Sequence, residues 1–355
     1  MINLGLKSIL LISICYLAAC KKPAPSPSVQ TETIQIIGTD FSFYPEVLSS
    51  GLSFSNEQGA EEDMLLTLKK AGFNTIRLRI WNQPETPTSS LESVGKLAAK
   101  CQTMGFKIWL TIHYSDTWAD PGKQQKPKTW DNLVQTELED SVYAFTFKVV
   151  KDMAPAFVQI GNEINNGMLW PNGSLENMGQ LKLLISKGIA ATRAANSQTK
   201  IMLHCAGYKD APWFFNQIGN LDYDIAALSY YPIWHGKSLD SLKQALIGLN
   251  QQLQKPTLIA ETAYPFTLSW NDWTNNIVGT NSQLIAGFDP TPEGQKDYWQ
   301  AILQTAKESK QCLGVCYWGA EWVSYKGNTA TNGSTWENQA FWDFDRKALP
   351  ILDGK

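Results

Sequence analysis

From residue 38 onward the chain repeats one unit, a short apolar run followed by an amphipathic stretch. Eight such runs are recognisable, at 38–43, 75–81, 108–114, 156–163, 200–205, 224–232, 257–264 and 314–322. Helical spacing separates most of them. In EEDMLLTLKKAG, Met64, Leu65, Leu68 and Ala71 share one helical face and Gly72 ends it. In DNLVQTELEDSVYAFTFKVVKDM a long helix is expected after an N-cap at Asp131. Strands that alternate with helices pair in parallel, and eight of them close on themselves. The predicted fold is therefore α/β, a single-domain (β/α)8 TIM barrel over 36–355. No second domain or linker is visible after residue 36.

Two of the runs carry a pattern that a sheet covered on both faces does not need. In TIRLRIW, Ile76, Leu78 and Ile80 oppose Arg77, Arg79 and Trp81; in IWLTIHY, Ile108, Leu110 and Ile112 oppose Trp109, Thr111 and His113. Strands buried on both sides usually read as unbroken apolar runs. The apolar face must meet the helices, so the polar face looks into the barrel. Buried arginines need anionic partners, so carboxylates are expected in the lumen.

Two acids fit. Glu163 closes the fourth run in VQIGNE, and Glu261 closes the seventh in PTLIAE. Period-two alternation predicts Gln159, Gly161 and Glu163 on one face, and Thr257, Ile259 and Glu261 on another. Both glutamates then stand at the C-terminal mouth, where this fold places its chemistry. A pair of facing carboxyls suits retaining glycoside hydrolysis. Glu261 is the expected nucleophile, kept anionic by an arginine of the second strand, preferably Arg79, the nearer to the mouth. Glu163 is the expected acid/base, its pKa raised by burial and by the charge of Glu261. Asn162 is placed to meet the sugar 2-hydroxyl.

The N-terminus reads as an address, not as part of the fold. Lys7, an apolar stretch and Leu17-Ala18-Ala19-Cys20 resemble a bacterial lipoprotein signal. Residues 1–19 would be removed, Cys20 lipidated, and 20–35 left as a Pro/Ser tether. The expected location is an outer-membrane lipoprotein, at the cell surface or on the periplasmic face, with the membrane as a partner through the lipid. Of six cysteines, Cys101, Cys205, Cys312 and Cys316 remain in the mature domain. They are expected to be free and buried. A net charge of −3 gives no reason to expect nucleic acid. There is no metal-type CxxC pair and no HExxH, and no cofactor is expected.

Longer strings sharpen the reading. RLRIW (77–81), HYSDTWADP (113–121), GNEINNGMLWP (161–171), LSYYP (228–232), AETAYPF (260–266) and LGVCYWGAEW (313–322) resemble, in order, the endo-β-1,4-galactanases of glycoside hydrolase family 53, within clan A. The resemblance implies a β-1,4-galactan substrate, the side chain of pectic type I arabinogalactan, cut internally with retention by a monomer. It implies that Asn162, Arg79, His113, His204, Tyr231 and Trp318 line the sugar subsite at the cut, and that Asp116, Trp118 and Trp170 shape neighbouring subsites.

Simpler roles stand beside these. His113 either contacts sugar or is a satisfied lumen histidine holding Glu163. His204 is expected to support rather than to touch substrate. Tyr230 and Tyr231 cannot both face inward, and Tyr231 is favoured only by the resemblance. Trp273, Trp299, Trp336 and Trp342 read as packing, and His235 has no evident partner. Some bacterial members of the family hold calcium near the mouth, but Asp272 and Asp289 are too sparse for such a site. The alternatives are another clan A endo-glycanase, a β-mannanase or β-glucanase, or a non-catalytic glycan-binding lipoprotein.

Overall fold

The computed structural model describes residues 35–353, together with Met1. The signal segment, Cys20 and most of the tether lie outside the described residues. The described residues 35–353 form one compact unit.

Eight parallel strands close a barrel: β1 (Ile36–Asp40), β2 (Thr75–Ile80), β3 (Lys107–Ile112), β4 (Phe157–Ile160), β5 (Lys200–Ala206), β6 (Ile225–Ser229), β7 (Thr257–Glu261) and β8 (Cys312–Tyr317). Each pairs with its neighbours in chain order, and β8 pairs with β1 to close the ring. The helices are α1 (Tyr44–Ser49), α2 (Met64–Lys70), α3 (Leu91–Thr103), α4 (Gln135–Met153), α5 (Met178–Ala195), α6 (Ala211–Ile218), α7 (Pro232–His235), α8 (Leu239–Leu253) and α9 (Pro292–Glu308). Among the described residues no α-helix follows β8; a long loop runs to a 3-10 turn at Pro350–Leu352.

The local signals act as expected in α2. Asp63 accepts from the Leu65 amide as N-cap, Met64, Leu65 and Leu68 are buried, and Gly72 turns away at φ +90°. In α4 the start differs. The helix begins at Gln135, four residues after Asp131, because the Glu137 side chain reaches back to the Val134 amide.

Two apolar layers result. Ile76, Leu78, Ile80, Leu110 and Ile112 join the large core between strands and helices. Inside the barrel a smaller core of Ile36, Trp109, Phe157, Met202, Ile225, Ala227, Leu258, Ala260 and Cys316 plugs the lumen. That plug makes the lumen a floor rather than a pore. Arg77 and Arg79, both buried, belong to the same inward face. Cys101, Cys205, Cys312 and Cys316 are buried free thiols.

Candidate active site

Neither glutamate reaches the mouth by simple strand alternation. β4 ends at Ile160, three residues before Glu163. Gly161 follows at φ +75°, where a Cβ would sit 2.4 Å from Ile164 Cγ2. Glu163 itself is left-handed at φ 47° and ψ 53°. A turn, not a pleat, delivers it. The turn is clamped by Gln124, whose Nε2 donates to the Asn162 carbonyl at 2.8 Å and to the Asp120 carbonyl at 3.0 Å. It is clamped again by Asn165, whose Oδ1 accepts from the Ala206 amide at 3.0 Å.

On β7 the correction is sharper. Leu258 and Ala260 point into the lumen plug, and Ile259 points outward into the helix-facing core. Strict alternation would send Glu261 outward. Instead the pairing with β6 slips by one residue, from Leu228 opposite Ile259 to Ser229 opposite Glu261. That irregularity places Ala260 and Glu261 on the same side. The expectation that Thr257, Ile259 and Glu261 share a face is therefore wrong, although Glu261 does face inward.

The arginine that holds Glu261 is Arg77, not Arg79. Arg77 Nη2 lies 2.8 Å from Glu261 Oε1 and Nη1 lies 3.2 Å from Asp40 Oδ2. Its Nε donates to Thr111 Oγ1 at 2.9 Å and its Nη2 to Asn162 Oδ1 at 2.8 Å. Burial works against its charge, but Glu261 and Asp40 more than offset this and raise its pKa. Arg79 leans away to the loops. Its Nε donates to Ser89 Oγ at 2.9 Å, and its guanidinium lies 4.2 Å from the Trp118 ring and 4.4 Å from Phe43. Parity put both arginines in the lumen but carried no information on how far each extends. The deeper one has room to rise beneath the carboxylate.

Ser229, which the sequence reading passed over, ties the two carboxyls together. Its hydroxyl lies 2.5 Å from Glu163 Oε1 and 3.4 Å from Glu261 Oε2. Those two oxygens therefore cannot be more than 5.9 Å apart, the sum of both contacts. Burial, and then the charge of Glu261, push the pKa of Glu163 up to about 8. Burial also raises that of Glu261, opposed by Arg77 and by the Tyr231 hydroxyl at 3.0 Å from Oε2. Glu261 holds the cation and the phenol, so of the two it is the anion and Glu163 keeps the proton.

A cavity of about 440 Å³ opens above the pair. Asn162, Glu163, Glu261, Trp118, Tyr231 and Trp318 line it. Tyr230 instead donates outward to the Gly236 carbonyl at 2.8 Å. His204 does not reach the cavity; it is fully buried beneath it, 2.9 Å from Ser229 Oγ through Nε2. His113 does not hold Glu163. Its Nδ1 accepts from Trp81 Nε1 at 3.3 Å and from the Ala119 amide at 3.1 Å. Burial, then Arg79 and Arg77, hold its pKa well below the usual histidine value, so it is neutral. Asp116 and Trp170 line a separate groove with Trp81 and Lys128. The Asp116 oxygens are taken by the Gln83 and Lys128 amides, both at 2.8 Å.

The cavity also has walls not foreseen. Trp336, read as packing, lines it with Trp234 and Trp322. His235 lines it too, and its Nδ1 accepts from the Tyr231 amide at 3.0 Å. The i, i+4 spacing of Tyr231 and His235 across a proline was the one available signal. Trp273 is exposed, whereas Trp299 and Trp342 are core. Among the described residues no group of three or more His, Cys, Asp or Glu side chains could hold a metal ion.

Comparison with known proteins bears on this arrangement. The family model described as Glycosyl hydrolase family 53 matches residues 36–354. The chain is 34% identical to the arabinogalactan endo-beta-1,4-galactanase of Cellvibrio japonicus, over 98% of this chain and 96% of that protein. It is 29% identical to the endo-beta-1,4-galactanase of Bacillus subtilis, over 89% and 84% respectively. Among solved structures it resembles the Ignisphaera aggregans GH53 catalytic domain, at 38% identity and a TM-score of 0.85, covering 93% of this chain and 97% of that one.

Proposed function

We infer the function from one premise, that the chain belongs to glycosyl hydrolase family 53. It is a glycoside hydrolase that cuts β-1,4-linked galactan internally, as its galactanase relatives are named for doing. The observation that carries the mechanism is the Ser229 bridge. A carboxyl separation of at most 5.9 Å fits retention, for which about 5–5.5 Å is usual, and leaves no room for the water an inverting site holds at about 6.5–9.5 Å.

Glu261 is the nucleophile. Its carboxylate attacks the anomeric carbon as the Glu163 proton passes to the departing glycosidic oxygen and that C–O bond breaks. Water then gives a proton to Glu163 and displaces Glu261 from the anomeric carbon, restoring both groups. Asn162 Nδ2 donates to the Ala119 carbonyl at 2.9 Å, which leaves one amide hydrogen for the sugar 2-hydroxyl. Tyr231 and Arg77 hold Glu261 as an anion. Trp118 and Trp318 offer ring faces to the galactosyl units, and Arg79 braces Trp118 from behind. His113 sits behind the cavity wall, where its Nδ1 holds Trp81 and the Ala119 amide in place. Asp116 and Trp170 shape an outlying subsite, and His204 supports the acid/base from below.

The test is to offer purified protein β-1,4-galactan, mannan and β-glucan, sizing the products and following the anomeric configuration by NMR. Galacto-oligosaccharides of mixed length, released as the β-anomer, are the expected result. Release of single sugars, or of the α-anomer, would overturn the assignment.

The N-terminal strings support a lipoprotein signal, with Cys20 acylated, and an outer-membrane location; a monomeric enzyme is the state the family resemblance implies. Labelled palmitate should enter wild-type protein but not Cys20→Ala, which should fractionate as soluble. A C20A protein that stays with the membrane would end that reading.

A further inference from the structure

Resting on the retaining reading above, we propose that Ser229, held by His204, is a positioning residue that fixes which oxygen of Glu163 carries the acid proton. The proton sits on Oε2, the oxygen that Ser229 leaves free.

Gln159 is oriented by an unambiguous acceptor, since its Nε2 donates to the Gly161 carbonyl at 2.9 Å, while its Oε1 faces Arg77 Nη2 at 3.4 Å. The second hydrogen of that Nε2 goes to Asn162 Oδ1 at 3.0 Å, so its 3.0 Å approach to His204 Nδ1 assigns no proton there. The Glu163 backbone N–H points at His204 Nδ1, at 3.4 Å. An amide N–H can only donate, so Nδ1 must offer its lone pair. Asn162 Oδ1, 3.2 Å from the same nitrogen, does not require a hydrogen there, for it already accepts from Arg77 at 2.8 Å and Gln159 at 3.0 Å. Burial, then the charge of Arg77, hold the His204 pKa well below its usual value, so the ring is neutral.

A neutral imidazole with a bare Nδ1 carries its hydrogen on Nε2. That hydrogen goes to Ser229 Oγ, 2.9 Å away. The serine has a single hydrogen of its own, and the nearer of its carboxylate neighbours is Glu163 Oε1, at 2.5 Å against 3.4 Å for Glu261. Oε1 is thereby an acceptor. A proton placed there would face the serine hydrogen head-on. The remaining position is Oε2, which has no hydrogen-bond partner among the described residues, on a side chain that lines the cavity. The chain of bonds from His204 through Ser229 to Glu163 is thus polarised in one direction. It points the acid proton at the place where the glycosidic oxygen must lie.

Glu163 also faces Glu261 from β7, Arg77 from β2, Asp120 from the loop after β3, Cys205 from β5 and Tyr231 after β6. None of these changes in a Ser229 variant. The serine bond favours the ionised form of Glu163, so its loss should shift the alkaline limb of the rate profile upward.

The experiment compares wild type, Ser229→Ala and Ser229→Thr on two substrates, galactan and a 2,4-dinitrophenyl β-1,4-galactobioside. The second has a leaving group that departs without a proton. We expect S229A to lose about 30–100-fold in kcat/KM on galactan, within the range of general acid catalysis. On the aryl substrate it should lose less than about threefold. Its alkaline limb should move to higher pH, and S229T should restore both the galactan rate and the limb. Equal losses on the two substrates would overturn the proposal, since they place the effect on Glu261 or on folding. So would an S229A enzyme unchanged on galactan. A wild type inactive on galactan would sink the galactanase reading as well, whereas a normal wild type with an insensitive S229A sinks only this one.

Discussion

Arg77 Nη2 lies 2.8 Å from Glu261 Oε1, with both side chains almost fully buried. The pair joins the floor of the barrel to its chemistry, because the same guanidinium also binds Asp40 on β1 and Asn162 after β4. A buried pair of this kind is costly to break from one side.

Replacing Arg77 should therefore harm more than binding. Arg77→Lys keeps the charge but cannot reach Asp40, Thr111, Asn162 and Glu261 together. We expect a loss of about 1–3 kcal/mol in stability, from buried acceptors left without a donor rather than from loss of the charge. The reaction needs Glu261 ionised, and Arg77 pulls its pKa down. In residual activity, the acid limb of the pH profile should move to higher pH. Thermal unfolding and kcat/KM across pH check both.

The alkaline limb belongs to Glu163. It must carry a proton for the first step, and its pKa is pushed up to about 8. The kcat/KM on galactan should hold below that value and fall about tenfold per pH unit above it. A limb that falls near pH 5 would contradict the assignment of the acid.

The same shift has a stability consequence. An unfolded glutamate loses its proton near pH 4.3, whereas folded Glu163 retains it to about pH 8. A raised carboxyl pKa therefore costs the fold stability as pH rises between those values, and the cost levels off above the upper one. Glu163→Gln should be more stable than wild type at pH 8, with the difference vanishing near pH 4. It should also lose at least about 100-fold on galactan. Glu261→Ala should abolish cleavage of every substrate while leaving the circular dichroism spectrum intact. Normal turnover by either variant would end the mechanism.

Gly161 tests the turn that delivers the acid. At φ +75°, with Ile164 Cγ2 2.4 Å from any added Cβ, Gly161→Ala cannot be accommodated in place. A loss of about 1–3 kcal/mol in stability is expected from the backbone alone. Activity on the dinitrophenyl substrate should fall less than activity on galactan, because the displaced group is the proton donor.

Trp234 tests the outer wall. It lines the cavity, is 54% exposed, and lies edge-on to Tyr231 at 5.1 Å. Trp234→Ala should raise KM about 3–10-fold, as loss of one aromatic contact of about 0.5–1.5 kcal/mol implies, with little change in kcat or unfolding temperature. A fall in kcat with KM unchanged would show that the ring acts on Tyr231 rather than on sugar.

Much of this protein could be read from order and period alone. Apolar residues at every second position of TIRLRIW and IWLTIHY are enough to require a covered outer face and a polar inner one. The buried arginines then require carboxylates, and Glu163 and Glu261 answer from the ends of strand-like runs, whereas the Asp40 carboxylate that also pairs with Arg77 carried no such signal. These are local patterns, and local physics suffices to interpret them. The tryptophan wall was less legible, because Trp234 stands on α7 whereas Trp322 and Trp336 come from the long loop after β8. Nothing in their spacing says that those segments meet.

What only the closed barrel decides is the aim of each side chain. Alternation along β7 predicted the right side for Glu261 from the wrong register, since Ile259 faces out and a one-residue slip against β6 turns Glu261 in. Glu163 leaves its strand altogether and is presented by a left-handed turn. Arg77 rather than Arg79 finds the nucleophile, and Ser229 finds both acids. Each of these depends on pairing between strands distant in the chain. A period-two pattern specifies faces within one strand; register and reach are properties of the ring, which exists only once all eight have closed.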